Sequence, residues 1–158
     1  MIANGRSAAL TASGLMLLAT AALANPTNDL AGRWSGGGQV TLANGQTETL
    51  KCVATYTVSG GGKEVRQGLR CASTSYKIDA VANLDISGNS VSGNWEERTY
   101  SATGNITGRM TAGGFTLSIS GGLFSASMQV SVSGCKQSIF ITPQGLEISR
   151  ITISLGKC

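Results

Sequence analysis

The chain has 158 residues, of which 22 are glycine and only 13% are charged, and its formal net charge is +4. A charge this small does not indicate nucleic-acid binding, so we predict no nucleic-acid partner. The chain contains no histidine. This excludes Ser–His and Cys–His nucleophilic sites and removes the commonest general base and metal ligand.

The first 24 residues have the pattern of a secretory signal peptide. Arg6 gives a short positive region, an apolar stretch follows over 8–22, and Ala22-Leu23-Ala24 is a small-x-small cleavage site. The apolar stretch is too short and too interrupted to span a bilayer. We therefore predict cleavage after Ala24 and export to the periplasm or to the medium.

The mature chain is predicted to form one all-β domain over 32–158, preceded by a flexible lead-in over 25–31. Short runs rich in Val, Ile, Thr, Tyr and Ser alternate apolar with polar residues, and glycine or asparagine pairs interrupt them roughly every 8 to 15 residues. No stretch has a convincing helical period, so the pattern is typical of an all-β protein.

The predicted strands pair with their neighbours in chain order. Two-residue turn signals such as Asn44-Gly45 and Gly88-Asn89 separate several of them and favour sequential antiparallel pairing. One apolar face per strand fits a sheet that closes on itself. We predict an up-and-down antiparallel barrel of eight to ten strands, with a flattened β-sandwich as the alternative. These strands are drawn from eleven candidate runs, which in chain order cover 32–42, 47–58, 63–73, 75–80, 82–87, 90–100, 106–111, 115–120, 123–133, 136–142 and 146–155.

The four cysteines predict two disulfides, because an even number of cysteines in an exported chain forms a disulfide framework. A hairpin turning within Gly60-Gly61-Gly62 places Cys52 directly opposite Cys71, which leaves Cys135 to pair with Cys158. The second pair lies about two residues from direct opposition and therefore needs a bulge or a longer loop. A zinc site is the rival interpretation, but the chain has no CxxC motif and no histidine.

Local alternation adds two register predictions. The turn at Gly88-Asn89 places Ala82 opposite Trp95. In the last run the apolar face changes phase, which indicates a bulge near Arg150 or a strand that is covered on both sides.

No residues combine into a catalytic or metal site, so we predict a protein that is not an enzyme and that has no cofactor. Glu96 and Glu97 are adjacent and point to opposite faces of a strand, so they cannot act as a carboxylate pair. The aromatic content is only 5% and the outward faces carry Ser, Thr, Lys and Arg. We therefore expect a barrel that does not span a membrane, because a membrane barrel needs aromatic girdles.

The large inward side chains are the candidate ligand-binding residues: Trp34, Tyr56, Tyr76, Trp95 and Met128. In a small barrel such residues fill the centre, and in a slightly larger one they line a ligand cavity. Small inward residues favour some cavity: Ala54, Ala82, Gly93, Gly108 and Ala126. The leading hypothesis is a non-catalytic barrel that binds a small apolar or amphipathic ligand. The alternative is a filled barrel that binds an envelope protein or inhibits a protease.

The opening Leu30-Ala31-Gly32-Arg33-Trp34 resembles the Gly-x-Trp opening of the calycin-type barrels, which include lipocalins, fatty-acid-binding proteins and avidins. This resemblance implies that Trp34 closes one end of the barrel and that a basic residue near the last strand, Arg150, packs over it. The opening is also similar to that of a small family of periplasmic protease inhibitors. In that family an inhibitory N-terminal arm would correspond to 25–29.

Overall fold

The structure, a computed structural model, describes residues 25–122 and 124–158. The predicted signal peptide lies outside these residues. Within them the chain forms one short helix followed by ten strands. Their bounds are α1 (Pro26–Leu30), β1 (Gly32–Leu42), β2 (Thr47–Ser59), β3 (Glu64–Ala72), β4 (Lys77–Ser87), β5 (Ser90–Glu97), β6 (Ala102–Thr111), β7 (Gly114–Gly121), β8 (Phe124–Ser133), β9 (Lys136–Gln144) and β10 (Ile148–Gly156).

The ten strands form a closed antiparallel up-and-down barrel, which excludes the flattened sandwich. Each strand pairs with the next in the chain, and β10 pairs with β1 to close the sheet. The runs predicted over 75–80 and 82–87 are a single strand, β4. Val81 joins them because it stays paired with Gly68 on one side and Glu96 on the other.

The predicted registers are confirmed. Cys52 lies opposite Cys71 and is bonded to it, and Ala82 lies opposite Trp95. The second predicted disulfide, Cys135–Cys158, is also present. Two disulfides indicate that the protein resides in an extracellular or otherwise oxidising compartment.

The predicted irregularity near Arg150 is a β-bulge. Thr41 pairs with Arg150 while Leu42 pairs with Ile148, so Ser149 is the extra residue. The bulge lets the apolar side chains on both sides of it stay on the inner face, although their spacing in the sequence changes phase.

The two ends of the barrel differ. At the helix end, α1 and the C-terminus lie beside the tight turns over 60–63, 88–89, 112–113 and 134–135. The opposite, loop end carries the remaining connections. These loops cover 43–46, 73–76, 98–101 and 145–147, together with the β7–β8 connection.

The expected flexible lead-in is instead a folded helix that covers the helix end. Asn25 caps α1, since its side chain accepts a hydrogen bond from the Thr27 amide at 3.1 Å, and Pro26 occupies the first turn. Thr27 and Leu30 are buried. Trp34 is fully buried beneath α1, and its indole N–H donates to the Leu30 carbonyl at 2.7 Å.

The basic residue over Trp34 is Lys157, so the assignment of that role to Arg150 is wrong. The Lys157 ammonium lies 4.8 Å from the centre of the Trp34 ring and donates hydrogen bonds to the carbonyls of Asp29 and Ala31. Arg150 lies near the start of β10, at the loop end and on the outer face. There its guanidinium is 5.7 Å from the centre of the Phe140 ring.

An inward-facing glycine of β6 allows that strand to lie close to β7. Gly104 lies directly opposite Trp95 on β6. A Cβ at Gly104 would collide with the carbonyl oxygen of Ser120 on β7. Gly68, by contrast, has open space where a Cβ would lie, and its φ is outside the left-handed region.

We therefore expect opposite effects from two substitutions of the same kind. Gly104→Ala should lower the free energy of unfolding by about 1–3 kcal/mol, because the strands must separate. Gly68→Ala should raise it by about 0.4–1 kcal/mol, because it restricts the unfolded chain without strain. Urea unfolding followed by tryptophan fluorescence measures both, and an equal effect of the two changes would contradict the close approach at Gly104.

Candidate ligand cavity inside the barrel

A cavity of about 850 Å³ lies inside the barrel and reaches the surface at the loop end. Its volume falls within the range of roughly 300–1,000 Å³ that is usual for small-molecule sites. Inward aliphatic side chains from several strands form most of its wall, among them Val40, Leu69, Ile106, Leu117, Ile141 and Ile153.

The cavity exists because several inward residues are small and because one large inward side chain, Trp95, lies against the barrel wall. Ala82 and Ala126 both face the cavity. The Trp95 indole packs so closely over Gly121 that a Cβ there would lie 2.8 Å from the ring, and its N–H donates to the Ser120 carbonyl at 3.2 Å. The ring of Phe124 lies 5.3 Å from that of Trp95, with the two planes tilted by 53°.

The five predicted ligand-binding residues divide between the cavity and the filled part of the barrel. Tyr76, Trp95 and Met128 line the cavity. Trp34 and Tyr56 are buried and do not contribute to its wall. Trp34 belongs instead to the core beneath α1.

Among the cavity residues that the sequence analysis did not single out are Tyr100, Leu146 and Gln67. Tyr100 and Leu146 line its mouth and are 63% and 48% exposed. Neither stands out in the sequence, because each lies at the end of a predicted strand. Gln67 carries a signal that could have been used, since it occupies an inward position between Val65 and Leu69 on an otherwise apolar face.

A buried polar cluster, the Tyr56 cluster, consists of Tyr56, Gln67 and Gln137. The Tyr56 hydroxyl oxygen accepts one hydrogen bond from the Gln67 amide at 2.9 Å and another from the Gln137 amide at 2.8 Å. Gln137 is only 2% exposed, and its side-chain oxygen has no partner among the described residues. Gln67 alone of the three forms part of the cavity wall.

The charged groups of the cavity wall lie at its mouth. They are Lys77, Glu97 and Glu147, all at or beside the loop end. Glu97 accepts hydrogen bonds from the amides of Asp79 at 2.8 Å and Tyr100 at 2.7 Å. This carboxylate therefore holds the loop over 98–101 in place at the rim.

A second carboxylate holds the loop that carries Tyr76. Glu48 accepts hydrogen bonds from the Ser73 hydroxyl at 2.7 Å and the Ser75 amide at 3.1 Å. Hydrogen bonds from Ser75 and Ser73 lower the pKa of Glu48. The rim of the cavity is thus fixed at two loops by side chain–backbone hydrogen bonds.

Neither a metal site nor a membrane helix is present in the described part of the chain. Across 25–122 and 124–158, no group of three or more His, Cys, Asp or Glu side chains could hold a metal ion. No helix within the same ranges has the length and hydrophobicity needed to cross a membrane.

Comparison with known proteins adds no family to these observations. No protein-family model matches the chain, and a search of curated proteins finds no match. A functional assignment therefore depends on the cavity and on the side chains that surround it.

The buried phenol gives the fold a pH dependence that can be measured. Burial raises the pKa of Tyr56 to about 12, although the hydrogen bonds from Gln137 and Gln67 act in the opposite direction. Because the folded state holds this proton more tightly than the unfolded chain, the stabilisation is complete below the unfolded pKa near 10. It is lost as the pH rises toward 12.

As the pH rises from about 9 to about 11, the free energy of unfolding should therefore fall by about 1.3 kcal/mol because of Tyr56 alone. Tyr56→Phe should remove this part of the pH dependence, while costing stability at every pH because two amides lose their partner. Urea unfolding at each pH measures the difference between the two proteins. A difference that stays constant from pH 9 to pH 11 would contradict the burial of the phenol.

Proposed function

We propose that this protein is an exported carrier whose barrel interior binds a small apolar or amphipathic ligand without transforming it. The observation that carries this proposal is the apolar cavity of about 850 Å³ that reaches the surface at the loop end. A concave apolar site with few polar groups is the usual form of a small-molecule binding site.

The energetics of such a cavity favour an apolar ligand. Each methylene group of a ligand that moves from water into the cavity contributes about 0.8 kcal/mol to the binding free energy. Glu48 and Glu97 already order the loops of the rim, so binding does not have to order them. Loss of translational and rotational freedom offsets several kcal/mol of this gain. A chain of about ten carbons gains about 8 kcal/mol before this offset, so its dissociation constant is expected to lie between the micromolar and the millimolar range.

The geometry gives less support to the alternative, a filled barrel that binds an envelope protein or inhibits a protease. That hypothesis needs a filled interior, whereas the interior holds a cavity. The inhibitor hypothesis also needs a free N-terminal arm. Asn25 and α1 instead pack against the helix end, where Thr27 and Leu30 are buried.

A binding role without catalysis agrees with the chemistry of the wall. Its carboxylates, Glu97 and Glu147, lie at the mouth, and Glu97 is held by two backbone amides. Export agrees with the two disulfides and with the signal-peptide pattern. We infer that cleavage after Ala24 releases the carrier into the periplasm or the medium.

The test is a titration of the oxidised, exported protein with N-phenyl-1-naphthylamine, a neutral apolar probe whose fluorescence rises in an apolar site. We expect saturable binding. Ala126→Leu places a larger side chain in the cavity and should weaken probe binding several-fold, with little loss of stability, because the cavity has room for it.

Ala54→Leu is the matched control, because Ala54 is fully buried beside Trp34 and does not line the cavity. It should lower the free energy of unfolding by about 1–3 kcal/mol through overpacking and leave the dissociation constant of the folded protein unchanged. Absence of saturable binding, or an equal response of the two variants, would overturn the proposed function.

A further inference from the structure

The polar groups of the interior are distributed unevenly along the cavity. The charged side chains of the wall lie at the mouth, whereas Gln67 is a single uncharged amide set among apolar residues further inside. Val65 and Leu69, its inward neighbours on β3, are buried, and Ala82 lies opposite on β4. A ligand that enters from the loop end therefore meets a neutral hydrogen-bonding group at the inner part of the cavity.

The Tyr56 cluster has unused hydrogen-bonding capacity. Each carboxamide offers two N–H donors and one oxygen acceptor. The only cluster bonds are one from Gln67 and one from Gln137 to the Tyr56 hydroxyl, and the Gln137 oxygen has no partner among the described residues. Exchanging the oxygen and nitrogen of either amide moves the shortage without removing it, because the amide whose oxygen then accepts from the Tyr56 hydroxyl no longer donates an N–H to that hydroxyl.

Gln67 is the member of the cluster that can use this capacity for a ligand, because it is half-buried and forms part of the cavity wall. Its side-chain oxygen accepts no hydrogen bond from the described residues, and one of its two N–H groups is used by Tyr56. The amide thus presents both a donor and an acceptor to the interior. A hydroxyl or a primary amide, which also donates and accepts, complements it.

A carboxylate does not complement this position. Leu69, Ala82 and the neutral Tyr56 surround Gln67, and the cation of the wall, Lys77, lies at the loop end. A buried anion without a counter-ion is far more costly to desolvate than a neutral hydroxyl. The high pKa of Tyr56 keeps its phenol neutral over the physiological range.

We propose that Gln67 binds the neutral polar end of a long-chain alcohol or primary amide, whose apolar chain extends from Gln67 toward Tyr100 and Leu146 at the mouth. This inference rests on the proposed function and specifies its ligand class. It also gives the exposed Tyr100 and Leu146 a role, because they cover the outer part of the chain where it approaches solvent.

The test compares ligands of equal chain length by displacement of bound N-phenyl-1-naphthylamine. At about pH 8, where a carboxylic acid is ionised, 1-decanol and decanamide should displace the probe at concentrations at least about ten-fold below that of decanoate. Gln67→Leu should reduce this preference markedly, because the amide is lost while the side chain keeps a similar size, and each displacement constant is referred to the variant's own affinity for the probe.

The variants separate recognition by Gln67 from simple hydrophobicity. A preference that survives unchanged in both Gln67→Leu and Gln67→Met would overturn the inference, since decanol is intrinsically more apolar than decanoate. Gln129→Leu, the same kind of change at an exposed position outside the cavity, is the matched control and should leave the preference unchanged. If decanoate binds as well as decanol and its binding weakens in Lys77→Gln, the polar end lies at the mouth and the inference is wrong.

Probe binding in the unmodified protein, with either result above, leaves the proposed function standing. Absence of probe binding would overturn both the proposed function and this inference.

Discussion

The packing of Trp34 beneath α1 and Lys157 closes one end of the barrel and so determines from which end its interior can be reached. The indole N–H donates to the Leu30 carbonyl, and the Lys157 ammonium covers the ring while it donates to carbonyls at the end of α1. The Cys135–Cys158 disulfide anchors the residue next to Lys157. The segment that begins at Asn25 and the C-terminal residues thereby close the same end of the barrel, and access to the interior is left to the loop end.

The cavity follows from the positions of the remaining large side chains. Trp95 could have filled the centre, but the absence of a side chain at Gly121 lets its ring lie against the wall. Alanines at two further inward positions add no bulk. The core is therefore dense beneath α1 and hollow toward the loops, and the carboxylates of Glu48 and Glu97 keep the loops around the opening ordered.

The local part of this architecture could be predicted from the sequence. Strand alternation combined with short turns fixes register, so the sequence alone predicts the Cys52–Cys71 and Ala82–Trp95 pairs. Contacts between residues far apart in the chain could not be predicted in this way. Whether Lys157 or Arg150 covers Trp34 depends on which end of the barrel each reaches, and the Gln137–Tyr56 bond joins residues 81 positions apart. The cavity likewise depends on how ten strands close together, which no single strand specifies.

The proposed binding mode is tested most directly by locating a heavy atom of the ligand within the barrel. In this mode the neutral polar end lies beside Gln67 and the apolar chain extends toward the open loop end. Crystals of the oxidised protein soaked with 10-bromodecan-1-ol would show the bromine by its anomalous scattering. We expect one bromine site near Tyr100 and Leu146 and the hydroxyl beside Gln67. A bromine beside Gln67, or no bromine inside the barrel, would contradict this arrangement.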